Sequence, residues 1–218
     1  IKKYYSVPEE KFVMTPIPPI PKGSGRGFNL ADIGVKGKYI LFVGTLEPRK
    51  NVLNLVKAYE QLPSVQRDNY QLVLVGGTGW YMEETMEYIS RLQDKGIAII
   101  TPGYISNEAK AALYEHASLF VLPSHYEGFG MPILEAMDYG IPTAVSDIEV
   151  FHEVAGNASL YFDKDSPASI AGAMARVLTN PALQKELVAK GRERLQAYSW
   201  QKVAQSVYES IRQICDRV

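Results

Sequence analysis

Short apolar runs alternate along this chain with longer stretches in which apolar residues recur every three or four positions. Lys38-Tyr39-Ile40-Leu41-Phe42-Val43 is a nearly continuous apolar block that stops at Gly44. Gln71-Leu72-Val73-Leu74-Val75, Ile97-Ala98-Ile99-Ile100, Leu119-Phe120-Val121-Leu122, Thr143-Ala144-Val145 and Leu160-Tyr161-Phe162 repeat the theme. Runs of this kind predict strands buried on both faces. Between the first two, Val52, Leu55, Val56 and Tyr59 sit at helical spacing within Val52 to Leu62. Helices are also predicted over Met82 to Leu92, over Asn107 to His116 with Ser106 as its cap, and over Ile133 to Asp138, opening near Met131. Three more close the chain: Ser166 to Leu178, Pro181 to Ala197 and Ser199 to Val218. Such alternation predicts an α/β fold, a doubly wound Rossmann-like sheet of about six parallel strands. Ligands of such sheets bind beyond the carboxyl ends of the strands, where the strand order reverses.

The first 28 residues break the pattern and read as a lead-in or inter-domain linker. Lys11-Phe12-Val13-Met14-Thr15 could pair as a strand, but Pro16, Pro18, Pro19 and Pro21 forbid helix and central strand. Gly23-Ser24-Gly25-Arg26-Gly27 reads as a mobile loop. Residues 29–198 form the predicted Rossmann-like domain and 199–218 a terminal helix. The chain opens on Ile1, and Ile1-Lys2-Lys3-Tyr4-Tyr5 reads like the middle of a helix. The expectation is a piece of a longer protein, from which any targeting segment has been lost.

Composition narrows the function classes. At 218 residues and a net charge of -1 there is ample apolar content for a core and no basic excess to suggest nucleic acid. The single cysteine, Cys215, excludes an internal disulfide and is expected to pack inertly on the last helix. No apolar run approaches the roughly 20 residues of a membrane span.

The chemistry concentrates in Pro123-Ser124-His125-Tyr126-Glu127-Gly128-Phe129-Gly130-Met131-Pro132-Ile133-Leu134-Glu135-Ala136-Met137. A strand, a glycine-bearing loop and a helix start with Pro132 in its first turn make an anion site from free N–H groups and the helix dipole. Two carboxylates, Glu127 and Glu135, flank it, which suits a ligand with phosphates at one end and hydroxyls on both sides. Gly44-Thr45-Leu46-Glu47-Pro48-Arg49-Lys50-Asn51 follows the first strand. Two cations entering a helix N-terminus oppose its dipole unless a ligand offsets them. Read alone, they divide evenly between a solvated loop and a ligand site. Beside the two glutamates, a pyrophosphate clamp is the better reading.

Gly76-Gly77-Thr78-Gly79 lacks the dinucleotide fingerprint, and a turn with unusual backbone angles is favoured over a phosphate loop. Asp163-Lys164-Asp165 has D-x-D form, yet a solvated loop with a helix cap outweighs a metal site, and no metal is expected. His116, His125 and His152 are scattered. His152 reads as a helix-end residue, and His125 as either a loop residue or a neighbour of the site.

Glu127 and Glu135, with seven residues between them, resemble the E-x7-E signature of family-4 retaining glycosyltransferases with the GT-B fold. Gly44 to Asn51 resembles that family's first-strand loop, and Gly103-Tyr104-Ile105-Ser106 the segment beside the nucleotide base. Ala136-Met137-Asp138-Tyr139-Gly140-Ile141-Pro142 resembles its A-M-x-x-G-x-P motif, and Ser199-Trp200 the opening of its last helix. The loop is most similar to those of mannosyltransferases of surface-polysaccharide assembly, which hints at GDP-mannose.

The resemblance implies the C-terminal, donor-binding half of a GT-B fold. It implies retaining transfer from a nucleotide-sugar to a hydroxyl of a saccharide or lipid-linked acceptor. Arg49 and Lys50 would hold the diphosphate, and more so because many members carry Arg where Thr45 stands. Glu127 would accept from donor-sugar hydroxyls and Glu135 from the ribose. Gly130, Met131 and Pro132 would face phosphates and sugar, with N–H donors only from the first two. Gly44, Thr45, Gly103, Tyr104, Ile105, Gly128, Phe129, Ile133 and Leu134 complete the implied donor site. No cofactor is implied. Acceptor contacts and a catalytic histidine would come from an N-terminal domain absent here, so this chain alone should turn over little and could self-associate. The setting would be cytoplasmic, or peripheral at the inner face of the membrane. The rival readings are a GT-B-like nucleotide-sugar epimerase and a non-catalytic nucleotide-binding module.

Overall fold

The computed structural model describes residues 12–13, 15 and 17–215. Six strands form one all-parallel sheet: β1 (Lys38–Val43), β2 (Tyr70–Val75), β3 (Ile99–Gly103), β4 (Leu119–Leu122), β5 (Thr143–Ser146) and β6 (Ser159–Phe162). Their order is β3-β2-β1-β4-β5-β6, so the winding reverses between β1 and β4. There Ile40 pairs with Leu119 and Leu41 with Phe120. Parallel neighbours require crossovers, and right-handed ones place helices on both faces. That is the doubly wound α/β sheet which the alternation predicts.

The helices are α1 (Val52–Glu60), α2 (Ser64–Asn69), α3 (Glu83–Asp94), α4 (Asn107–His116), α5 (Met131–Asp138), α6 (Glu149–Ala155), α7 (Pro167–Thr179), α8 (Pro181–Leu195) and α9 (Trp200–Cys215). Helix α1 packs against α3 and α7, and α5 against α6 and α8. The central strands β1 and β4 bury Tyr39, Ile40, Leu41, Phe42 and Leu119 to Leu122 completely, which is why they read as unbroken apolar runs.

Several expectations change. Helices α2 and α6 are additional, as are 3₁₀ turns at Leu30–Ile33 and Pro48–Lys50. Helix α6 places Phe151, Val154 and Ala155 in the core, too few apolar positions to declare a period beforehand. Strand β3 runs on to Gly103 because Val75 still pairs there after a register shift. The strand expected over Lys11 to Thr15 lies partly outside the described residues, and Phe12, Val13 and Thr15 are not in a strand. The helical reading of residues 1–5 lies outside them altogether, as do residues 216–218. In the glycine run 23–27, Gly23 and Gly25 lie against α4 at Ala111 and Ala112; Gly25 N donates to Glu115 Oε1 at 3.2 Å, and Gly23 O accepts from Tyr139 Oη, just past α5, at 3.1 Å. Cys215 is exposed rather than packed, because it lies at the end of α9, where residues 211–215 are all exposed. No described helix is long and apolar enough to cross a membrane.

Candidate functional site

The loops after β1 and β4 meet where the strand order reverses. The β1 loop turns through Pro48–Lys50 and enters α1 at Asn51, whose backbone is left-handed at φ 57. Asn51 fastens it to its neighbours: Nδ2 donates to Pro123 O at 3.0 Å and to Lys164 O at 2.8 Å. His125 N donates to Arg49 O at 2.9 Å. Two loops distant in sequence are thereby held in register.

Across that seam Glu127 is surrounded by donors. Its Oε1 accepts from Lys50 Nζ at 2.5 Å and from Ser124 Oγ at 2.7 Å, and its Oε2 accepts from Arg49 Nη1 at 2.6 Å. Arg49 Nη2 also binds Glu47 Oε1 at 2.5 Å. The Glu127 side chain is only 8 % exposed. Burial alone would raise its carboxyl, but the Lys50, Ser124 and Arg49 bonds outweigh burial and hold it below the ordinary 4.5. Burial likewise opposes the Arg49 charge, and the bonds from Glu127 and Glu47 more than restore it. The two cations thus already serve two carboxylates. An arriving anion would share them, while Oε2 of Glu127 keeps a lone pair for a hydroxyl.

Gly130 starts α5 with φ 107, and a Cβ there would lie 2.9 Å from the Phe151 ring. Only glycine suits that corner. Ile133 N is spent on Gly130 O, and Pro132 has no N–H, so Gly130 and Met131 carry the free donors of this turn. The side chains of Ile133 and Leu134 are fully buried in the core. Phe129 packs edge-on against Tyr198, their centroids 5.9 Å apart, and Gly128 is exposed.

Glu135 lies one turn into α5 and is buried. Its Oε1 accepts from Lys110 Nζ at 3.0 Å and its Oε2 from Tyr114 Oη at 2.9 Å. Burial, and then the Glu135 charge, push the Tyr114 hydroxyl well above its usual range, so it remains a donor. Lys110 also borders a pocket of about 250 Å³ lined by Gly44, Thr45, Gly76, Gly77, Tyr104 and Ile105 at the ends of β1, β2 and β3. Tyr104 is 92 % exposed over it, and Gly103 just before has φ 74. Gly76 does adopt an unusual backbone angle, φ 146, and a Cβ on it would reach within 2.0 Å of Gly44 O. The turn reading fits, yet the same glycines also line the pocket.

The implied site residues therefore form two groups, Arg49–Lys50–Glu127 and Gly44–Thr45–Tyr104–Ile105, with Lys110 on the border of the second and Glu135 bound to it. Sequence reasoning missed Lys110, Tyr114, Ser124 and Glu47. Lys110 and Tyr114 stand at i and i+4 on one face of α4, which is visible in the sequence only once Glu135 is known to face them. The D-x-D segment is a loop beside a helix cap: Asp165 N donates to Asp163 Oδ1 at 2.9 Å, and Ser166 caps α7 through Ser169 N. Among the described residues no three His, Cys, Asp or Glu side chains gather as a metal-binding group. His152 lies within α6, 2.6 Å from Asp147 Oδ1. His125 is exposed beside Asp165.

Residues 30–194 match the family described as Glycosyl transferases group 1. The chain is 37 % identical to O-antigen chain mannosyltransferase B of Escherichia coli over 163 residues, 75 % of this chain and 42 % of that protein. It is 34 % identical over 176 residues to the serotype-specific mannosyltransferase WbdA of Escherichia coli, covering 79 % of this chain and 21 % of the relative. It thus spans less than half the length of these relatives. Among solved structures, sucrose-phosphate synthase of Thermosynechococcus elongatus superposes with a TM-score of 0.73 at 27 % identity, over 93 % of this chain and 50 % of that one.

Proposed function

Because this chain belongs to the group 1 glycosyl transferases, we propose that it is the donor-binding half of an enzyme that transfers mannose from GDP-mannose to an acceptor hydroxyl with retention of configuration. One observation carries the reading. Glu127, a hydroxyl acceptor, is fixed by Arg49 and Lys50 beside the free N–H groups of Gly130 and Met131. Sugar, diphosphate and helix N-terminus then have adjacent partners.

The residues would divide the work as follows. Arg49, Lys50 and the amides of Gly130 and Met131 stabilise negative charge that grows on the diphosphate as the bond to the sugar breaks. Such groups are pre-set by their bonds to Glu47 and Glu127, so little reorganisation is needed. Glu127 receives a donor-sugar hydroxyl and Glu135 the ribose hydroxyls. Gly44, Thr45, Tyr104 and Ile105 border the base. The transferred group leaves to an acceptor hydroxyl, and no nucleophile of this chain is consumed. Mannose is favoured by the names of both curated relatives; the guanine base follows only from that sugar.

Titrating the chain with GDP, UDP and NAD tests the reading. GDP binding tighter than UDP, with no NAD binding, is the expected result. NAD binding, or no nucleoside diphosphate binding at all, would overturn it.

A further inference from the structure

A second pocket opens on the same edge of the sheet, on the far side of the Pro48–Lys50 turn. It measures about 310 Å³ and is bordered by Asn51, Asn54, Tyr81, Glu84, Thr85 and His125. None of these residues belongs to the proposed donor site. It nevertheless abuts that site, since Asn51 follows Lys50 directly and His125 lies two residues before Glu127.

The lining has three properties that together select a ligand. First, Thr85 lines the pocket although the residue as a whole is only 6 % exposed, so a hydroxyl-bearing side chain is set into its wall. A hydroxyl in that position can both donate to and accept from a ring hydroxyl. Second, donors and acceptors are mixed. Asn54 and Thr85 can donate, Thr85 and Glu84 can accept, and among the described residues no Lys or Arg lines the pocket. The Glu84 carboxylate and the missing cation disfavour a phosphate. Third, Tyr81 is 81 % exposed at the mouth, with Trp80 also exposed beside it. An aromatic face next to a mixed polar wall fits a sugar ring, which has an apolar C–H face and a rim of hydroxyls. Tyr81 also holds a left-handed backbone, φ 55, that a bulky residue rarely adopts; Asn51 is the other such non-glycine position among the described residues, and both border this pocket.

We propose that this pocket is a saccharide subsite, holding one sugar ring of the acceptor chain beside the donor crevice. The assignment to an acceptor rests on the glycosyl-transfer reading above; the assignment to a saccharide rests on the lining alone.

The test uses the 218-residue chain with α-linked mannotetraose as probe, read by saturation-transfer NMR, and GDP titrated in parallel. Tyr81→Gly removes the ring while easing the left-handed backbone, so the fold is not at risk. We expect it to weaken mannotetraose about tenfold, with Tyr81→Phe within about twofold of wild type. Thr85→Val should weaken mannotetraose severalfold as well, and all three variants should leave GDP affinity unchanged. No mannotetraose signal with the wild-type chain, or affinity indifferent to both Tyr81→Gly and Thr85→Val, would overturn the proposal. So would inorganic phosphate binding at this pocket that Glu84→Gln strengthens. Mannotetraose binding without GDP binding would support the subsite and sink the donor reading instead.

Discussion

Lys50 Nζ lies 2.5 Å from Glu127 Oε1, joining the loop after β1 to the loop after β4 across the point where the strand order reverses. The contact makes two roles of the cation inseparable. It positions the carboxylate, and it stands ready for an anion at the same spot.

The first prediction separates those roles. Arg49→Ala with Lys50→Ala should abolish GDP binding by calorimetry. It should also lower stability by about 1–3 kcal/mol, because a nearly buried carboxylate loses two charged donors. Adding Glu127→Gln to the double variant should recover most of that stability without recovering GDP binding. Unchanged GDP affinity in the double variant would remove Arg49 and Lys50 from the donor site.

The pH dependence of the same cluster follows from its sign. The Glu127 carboxyl lies below 4.5 when folded, so the native state binds its proton more weakly than the unfolded chain does. Its contribution to stability is whole above the unfolded value and is lost as pH falls through the folded one. In urea titrations, the stability gap between wild type and Glu127→Gln should hold steady near neutrality and close below about pH 4. A gap that ignores pH would show that Glu127 is not held by its cations in solution.

Much of this was legible in the sequence because parallel strands buried on both faces carry few polar residues to confuse their period. The six strands are therefore found from apolar runs, whereas the two glutamates stand out by flanking a strand, loop and helix start and by their resemblance to the E-x7-E signature. Helix α6 was not, since seven residues with three core positions define no period. Nor were Lys110 and Tyr114, whose roles come from α4 packing alongside α5, a relation that sequence distance hides. Tyr81 was invisible for a third reason: a left-handed backbone at a bulky residue is imposed by surroundings, not by propensity.

Two neighbouring glycines give the third prediction. A Cβ at Gly76 would sit 2.0 Å from Gly44 O, whereas one at Gly77 would meet nothing within 4 Å. Gly76→Ala should cost about 3 kcal/mol, from strain at φ 146 plus the clash between strand ends. Gly77→Ala should leave thermal unfolding almost unchanged while narrowing the pocket beneath Tyr104, weakening nucleotide severalfold. Equal melting temperatures for the two variants would contradict the close approach.

Metal removal gives the fourth. Asp163 accepts a loop bond from Asp165 N, the Asp165 carboxylate faces Lys164 and His125, and the donor charge has Arg49 and Lys50 to meet it. GDP binding should therefore persist in EDTA. Binding that disappears in chelator and returns with Mn²⁺ would make those two aspartates ligands after all.

The last prediction concerns α9. Trp200, Val203, Val207, Ile211 and Ile214 recur at spacings of three and four, so they share one stripe. A helix that merely closed the domain would bury it. Instead Val203 is half-buried, and Val207, Ile211 and Ile214 are 45 %, 57 % and 65 % exposed. Tyr208 and Trp200 add to the exposed apolar surface. A continuous patch of this kind on a chain in water lowers its free energy by pairing with another. The stripe is self-complementary when two copies lie antiparallel, so a twofold pair buries it on both. Sedimentation of the 218-residue chain should show concentration-dependent association. Ile211→Lys with Ile214→Lys should make it monomeric, without loss of stability, because neither side chain contributes to the core. A wild-type chain that stays monomeric at high concentration, or a double variant that still associates, would show that this stripe is not the contact.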